Sequence, residues 1–146
     1  MFASTSAKAD RGYTKDTVAN IRETGVFCCN VVSDALKEAM NESSGPWGRE
    51  TDEFAHTGLD RAPCQTIDCS RVAAAPANLE CRMTQIIELE GQSNFLVLGT
   101  VTGVHIREDA LKDGRFDVSS FSPVSRLGYR DFAKVTELFE MARPGE

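Results

Sequence analysis

Ser4, Thr5 and Ser6 stand a short loop away from Lys15, Asp16 and Thr17. Hydroxyls, one ammonium and the unpaired backbone N–H groups of a helix start are the parts of a phosphate site. The helix start brings a partial positive charge, and Lys15 brings a full one. Asp16 would repel a phosphate directly, so it is expected to face away, capping N–H groups or orienting Lys15. Plain helix capping uses the same residue types, and the chemistry of Ser4 to Asn20 leaves both readings open.

Other reactive types are spread thinly. The five cysteines are Cys28, Cys29, Cys64, Cys69 and Cys81. The count is odd and no Cys-x-x-Cys occurs, which argues against a disulfide framework and against zinc. They read as reduced cysteines of a cytoplasmic protein, packed as small hydrophobes. His56 and His105 are the only histidines, too few for a Cys/His metal site, and none is expected. His105 lies opposite an aliphatic stripe and reads as an exposed or hydrogen-bonded structural residue. Trp47, between Pro46 and Gly48, reads as a loop anchor or as a cover for a ligand. Glu50, Asp52 and Glu53 read as a solvated acidic face. No nucleophile or acid–base pair stands out, and no catalytic side chain is named.

The elements that must position these groups follow from periodicity and turn residues. Met1 to Ser6 reads as a strand end entering a loop. A helix is predicted from Thr14 or Lys15, with Val18 and Ile21 inward and Gly25 as its stop. Val26 to Val32 reads as a buried strand. Ser33 or Asp34 can cap a helix over 35–41, and Thr51 a shorter one ended by Gly58. Ala62 to Ser70 reads as a short strand. Leu79, Cys81 and Met83 alternate with Glu80, Arg82 and Thr84, so Glu80 is expected on the polar side. The alternation slips at Gln85 to Ile87, as at a bulge. Gly91 marks a hairpin into a long strand, Asn94 to Ile106. Asp113-Gly114 marks another turn, and Asp131 to Met141 is predicted as a C-terminal helix.

The bulk properties narrow the function classes. The 146 residues suit a single domain, 1–146. A net charge of -6 would repel a phosphate-coated polymer, so nucleic acid is not an expected partner. No apolar run reaches the roughly 18 residues of a membrane span, and no membrane association is expected.

Lys15-Asp16-Thr17, Ala19-Asn20-Ile21, Glu23-Thr24-Gly25 and Cys29-Asn30-Val31-Val32 together resemble a segment of the flavin-reductase-like family. The resemblance runs on through Ser33 to Asn41, Thr51 to Phe54, Gly58-Leu59, Ala75-Pro76 and Leu79 to Cys81. It continues over Leu98 to Ile106, Arg126 to Tyr129 and Phe139 to Met141. It implies a mainly β fold with peripheral helices, an FMN-binding split β-barrel, usually as a homodimer with FMN near the interface. By matching position, Ser4, Thr5, Ser6, Lys15, Asp16 and Thr17 would surround the flavin phosphate, and Arg126 and Tyr129 would sit near the cofactor cleft. Family members pass a hydride between NADH or NADPH and flavin, some of them serving a partner monooxygenase. The resemblance also implies first strands, with an Asn-x-Ala-Pro-x-Ser-like motif, ahead of Met1. Without them the barrel is expected to be incomplete, and a non-catalytic flavin- or partner-binding remnant is the alternative reading.

Overall fold

Two strands of 12 residues, β5 (Ala77–Glu88) and β6 (Phe95–Ile106), form the antiparallel hairpin on which the rest is assembled. The computed structural model describes residues 1–5 and 14–145. β1 (Phe2–Ser4) pairs with the start of β6, and β2 (Val26–Asn30) pairs with the first half of β5, giving the order β1-β6-β5-β2. The β5–β6 register slips at two places, so Thr102 is extra in β6 and Thr84 is extra in β5. The second slip lies next to the expected bulge at Gln85. Bulges of this kind bend and twist a sheet, which curls it around one face.

Helix α1 (Asp16–Thr24) covers that face. Its buried Val18 and Ile21 meet Phe27 of β2, Cys81 of β5, and Phe95 and Val97 of β6. Each such side chain removed from water contributes roughly 1.5–3 kcal/mol. The Phe2 ring meets Phe27 edge-on at 5.5 Å. Gly25 ends α1 at φ 72°, and its N–H returns to the Ile21 carbonyl. The left-handed turn there sends the chain straight into β2, so the strand that packs on α1 also fixes it.

After β2, a single 3-10 turn (Asp34–Leu36) leads into α2 (Lys37–Ser43), and α3 (Glu53–Thr57) follows. Asp52, not Thr51, caps α3, its carboxylate accepting the Phe54 N–H at 3.1 Å. The expected single strand over 62–70 is instead a hairpin, β3 (Arg61–Pro63) with β4 (Ser70–Val72). Residues 64–69 make its loop. β7 (Leu111–Lys112) and β8 (Arg115–Phe116) flank the Asp113-Gly114 turn.

The predicted C-terminal helix is absent. Phe132–Lys134 is a strand, β10, paired antiparallel with β9 (Val124–Arg126), and no regular element follows it up to residue 145. A short amphipathic helix is marginal unless its apolar face packs on something. Here Leu138, Phe139 and Met141 are exposed and bury no face against the described residues. Strand pairing, a Lys134–Asp34 ion pair at 3.3 Å and stacking of Arg126 over the Phe132 ring hold the segment instead.

Candidate functional site

α1 begins at the protein surface. Lys15 occupies its N-cap position with extended backbone, and its side chain is exposed. The first-turn N–H groups of a helix have no acceptor within the helix. Ala19 is the first residue in α1 to close back, onto the Lys15 carbonyl at 3.1 Å. Two adjoining cavities open at this end. The larger, about 500 Å³, runs from Asp16, Thr17 and Asn20 to the loop 48–54 and Arg61. The smaller, about 240 Å³, is lined by Lys15, Asp16, Thr17, Ser43, Ser44, Gly45 and Glu53.

The far walls are braced from within. Trp47 donates its Nε1 hydrogen to the Glu42 carbonyl at 2.9 Å and tilts against the His56 ring at 4.0 Å. His56 Nε2 lies 2.8 Å from Glu42 Oε1. Trp47 is therefore a loop anchor that ties the end of α2 to α3. A Cβ on Gly45 would come within 2.6 Å of the indole, so only glycine fits beneath it. Ser43 and Ser44 spend their hydroxyl hydrogens on the Met40 and Asn41 carbonyls. Toward an anion they are neighbours without donors. Lys15, Thr17 and the first-turn N–H groups are the donors of the smaller cavity.

The larger cavity carries compensated charge. Arg61 is ion-paired to Asp52, and its guanidinium also lies over the Phe54 ring at 4.7 Å. Arg49 is ion-paired to Glu23 at 3.0 Å. With Asp16, Glu50, Asp52 and Glu53 against Arg49 and Arg61, its walls hold more carboxylates than cations. A phosphate is favoured at the Lys15 end, and a neutral or hydrogen-bonding group beyond it.

The other predicted site residues lie elsewhere. Ser4 is buried in β1 opposite Phe95, and Thr5 is exposed just after it. Neither lines these two cavities. Ser6 falls outside the described residues. Arg126 donates to the Tyr129 carbonyl and stacks on Phe132. Tyr129, at φ 56°, is almost fully exposed in the turn between β9 and β10. The structure brings Lys15, Asp16 and Thr17 together, whereas Arg126 and Tyr129 line neither of the two cavities.

A second concentration of chemistry was missed by periodicity. Glu80 is completely buried, although alternation put it on the polar side. Its carboxylate accepts from the Gln65 N–H at 2.8 Å, the Thr66 N–H at 2.7 Å and the Thr66 hydroxyl at 2.6 Å. His105 Nε2 makes a further contact with it. Burial alone would raise its pKa. The Thr66, His105 and Gln65 hydrogen bonds outweigh that and hold it at about 2. Opposite Glu80 stands Gly103, where a Cβ would meet the carboxyl at 3.1 Å. A glutamate facing a glycine in a strong strand pair was the signal that could have revealed it.

Residues 10–126 match the flavin reductase like domain. An uncharacterized protein of Halalkalibacterium halodurans is 33% identical over 91% of this chain and 66% of its own length. One of Deinococcus radiodurans is 36% identical over 94% of this chain and 62% of its own. The chain thus spans less than two thirds of these relatives. Nitrilotriacetate monooxygenase component B from Bacillus cereus superposes with a TM-score of 0.86 at 26% identity, over 95% of this chain and 69% of that one. A protein with a split barrel domain from Shewanella frigidimarina shares the fold, at a TM-score of 0.78, 20% identity, and 87% and 65% coverage.

Proposed function

The chain belongs to the flavin reductase-like family of split-barrel proteins, and from that premise we propose that it binds FMN and passes a hydride between NADH or NADPH and the flavin. The observation that carries the reading is the meeting of Lys15, Asp16 and Thr17 at the exposed start of α1, on a cavity inside the family-matched residues. Lys15 and the first-turn N–H groups bind the flavin phosphate, and Thr17 adds a hydroxyl. Asp16 orients Lys15. Ser4, Thr5 and Ser6 as phosphate neighbours, and Arg126 and Tyr129 at the border of the cofactor cleft, are proposed from the family resemblance alone, because Ser4, Thr5, Arg126 and Tyr129 line neither cavity. When bound, the flavin supplies the redox chemistry, and these residues supply affinity and orientation. The larger cavity has the volume of ordinary cofactor sites.

The protein is proposed to work as a homodimer. Exposed Leu127, Tyr129, Phe132, Leu138, Phe139 and Met141 support a partner surface. Its likeness to a monooxygenase component supports delivery of reduced flavin to a partner monooxygenase. The test is direct. The chain, purified with excess FMN and desalted, is expected to keep the flavin absorbance bands and to oxidise NADH or NADPH faster than free FMN does. A colourless protein without FMN affinity overturns the reading. Binding without turnover selects the alternative, a non-catalytic flavin- or partner-binding split barrel.

A further inference from the structure

The larger cavity beside α1 holds chemistry that a flavin phosphate does not use. It meets the smaller cavity at Asp16, Thr17 and Glu53, which line both. Beyond that junction the two arginines of its wall are committed, Arg49 to Glu23 and Arg61 to Asp52. The carboxylates of Glu50 and Glu53 have no hydrogen bond or ion pair among the described residues. Glu50 is folded back, so that its carboxylate occupies the place a Cβ on Gly48 would take. The Arg61 guanidinium lies over the Phe54 ring at 4.7 Å, and its side chain is half exposed.

These parts suit a nucleoside. Acceptors beside cations that are already paired favour a neutral group rich in O–H donors, and the vicinal hydroxyls of a ribose offer two of them to one carboxylate. A guanidinium stacks on planar rings, so the open side of Arg61 suits a base. A volume of about 500 Å³ lies within the range of small-molecule sites. We propose that this cavity seats the adenosine of the electron donor and selects NADH over NADPH, with Glu50 as the selecting residue. The proposal rests on the flavin reading above, which gives Lys15 to the flavin phosphate, and it names the donor that reading leaves open.

NADH and NADPH differ only at the 2′ position of that ribose. In NADH the 2′-hydroxyl donates to the Glu50 carboxylate, the same use that dinucleotide-binding folds make of an acidic residue. In NADPH a phosphate stands there, and a phosphate monoester carries roughly −1.5 to −2 charge near pH 7. It would face Glu50, Glu53 and Asp52. Sites that accept a 2′-phosphate supply an arginine for it. Here Arg49 and Arg61 already answer carboxylates, and Lys15 answers the flavin. The cavity is open to solvent ions, so the repulsion weakens in salt, whereas the hydroxyl contact does not depend on net charge.

The full chain saturated with FMN is assayed with NADH and with NADPH at low and high ionic strength. The expected kcat/KM favours NADH by about tenfold or more, chiefly through KM, and the preference shrinks in high salt. Glu50→Gln removes the charge and keeps the size. Its KM for NADPH is expected to fall about three- to tenfold and its KM for NADH to rise about twofold, while FMN affinity, which also reports that the variant is folded, stays as in the wild type. Wild-type protein that binds FMN and uses NADPH as well as NADH overturns the proposal and leaves the flavin reading standing. So does a Glu50→Gln variant that binds FMN and keeps the full NADH preference. A chain that takes up no FMN, or takes it up and oxidises neither nucleotide, overturns the reductase reading itself and this proposal with it.

Discussion

The start of α1 and the Glu80 centre are opposite solutions to placing charge. At α1, Lys15 is exposed at a helix end, and the carboxylates around the cavities are shared with water and with Arg49 and Arg61. At Glu80 the carboxylate has no contact with water and takes its hydrogen bonds from Gln65, Thr66 and His105. The first arrangement leaves donors available to a ligand. The second uses them all to pin the 64–69 loop against the β5–β6 hairpin. A strongly shifted carboxylate is often taken as a functional marker. Here the shift comes from a saturated structural clamp, and the group left open for chemistry is the exposed lysine at the helix start.

The comparison breaks most visibly if Glu80 can be neutralised without harm. Glu80→Gln keeps the shape but offers one acceptor oxygen to donors that now meet two, and it turns an N–H₂ group toward backbone N–H groups. Unsatisfied buried donors are among the few single changes with large effects. The expected result is a melting temperature lower by on the order of 10 °C, with faster amide exchange at Gln65 and Thr66. A variant that melts like the wild type would mean that the clamp does not hold the loop.

Acid titration sharpens the same point. The Glu80 pKa falls from the usual 4.5 to about 2 on folding, so its ionised form contributes stability in full above pH 4.5. That contribution is lost as pH falls through about 2. Wild-type stability is expected to decline across this window more steeply than that of Glu80→Gln, as read by denaturant melts at successive pH values.

At the other region the effect should fall on binding alone. Lys15→Ala removes an exposed charge that packs on no core residue, so its melting temperature should stay within about 2 °C of wild type. FMN affinity should drop about tenfold, the worth of one charge-assisted contact to phosphate. Unchanged affinity, measured by fluorescence titration, would remove Lys15 from the flavin site while leaving the fold reading untouched.

Legibility in the sequence followed the range of the interactions involved. α1, β2, the long hairpin and its Gln85 slip were readable because periodicity and glycine stops are local signals. Val18 and Ile21 fell inward and Gly25 ended the helix as expected. The clustering of Lys15, Asp16 and Thr17 needed only one helix start. Glu80 was not readable, since its partners sit 14 to 25 residues away and its cavity exists only because residue 103 lacks a side chain. The C-terminal segment failed for the converse reason. Leu138, Phe139 and Met141 carry a helical pattern, but all three stay exposed among the described residues. The 62–70 segment read as one strand because nothing local shows that Glu80 draws its centre into a loop.

The smallest expected effect probes why the larger cavity is not already a strong anion site. Asp52 does two jobs there, capping α3 through the Phe54 N–H and pairing with Arg61. Asp52→Asn separates them. Asparagine caps a helix about as well as aspartate, so α3 should keep its start and stability should change by no more than about 1 kcal/mol. The Arg61 ion pair is lost, and exposed pairs of this kind hold roughly 0.2–1 kcal/mol. Released from it, Arg61 can turn toward an anion in the cavity, and one carboxylate no longer opposes that anion. FMN affinity is therefore expected to rise by about two- to fivefold, with the gain disappearing in high salt. A fall in affinity would show instead that Asp52 itself contacts the ligand, and would move the centre of binding from the Lys15 end of the cavities to the Arg61 end.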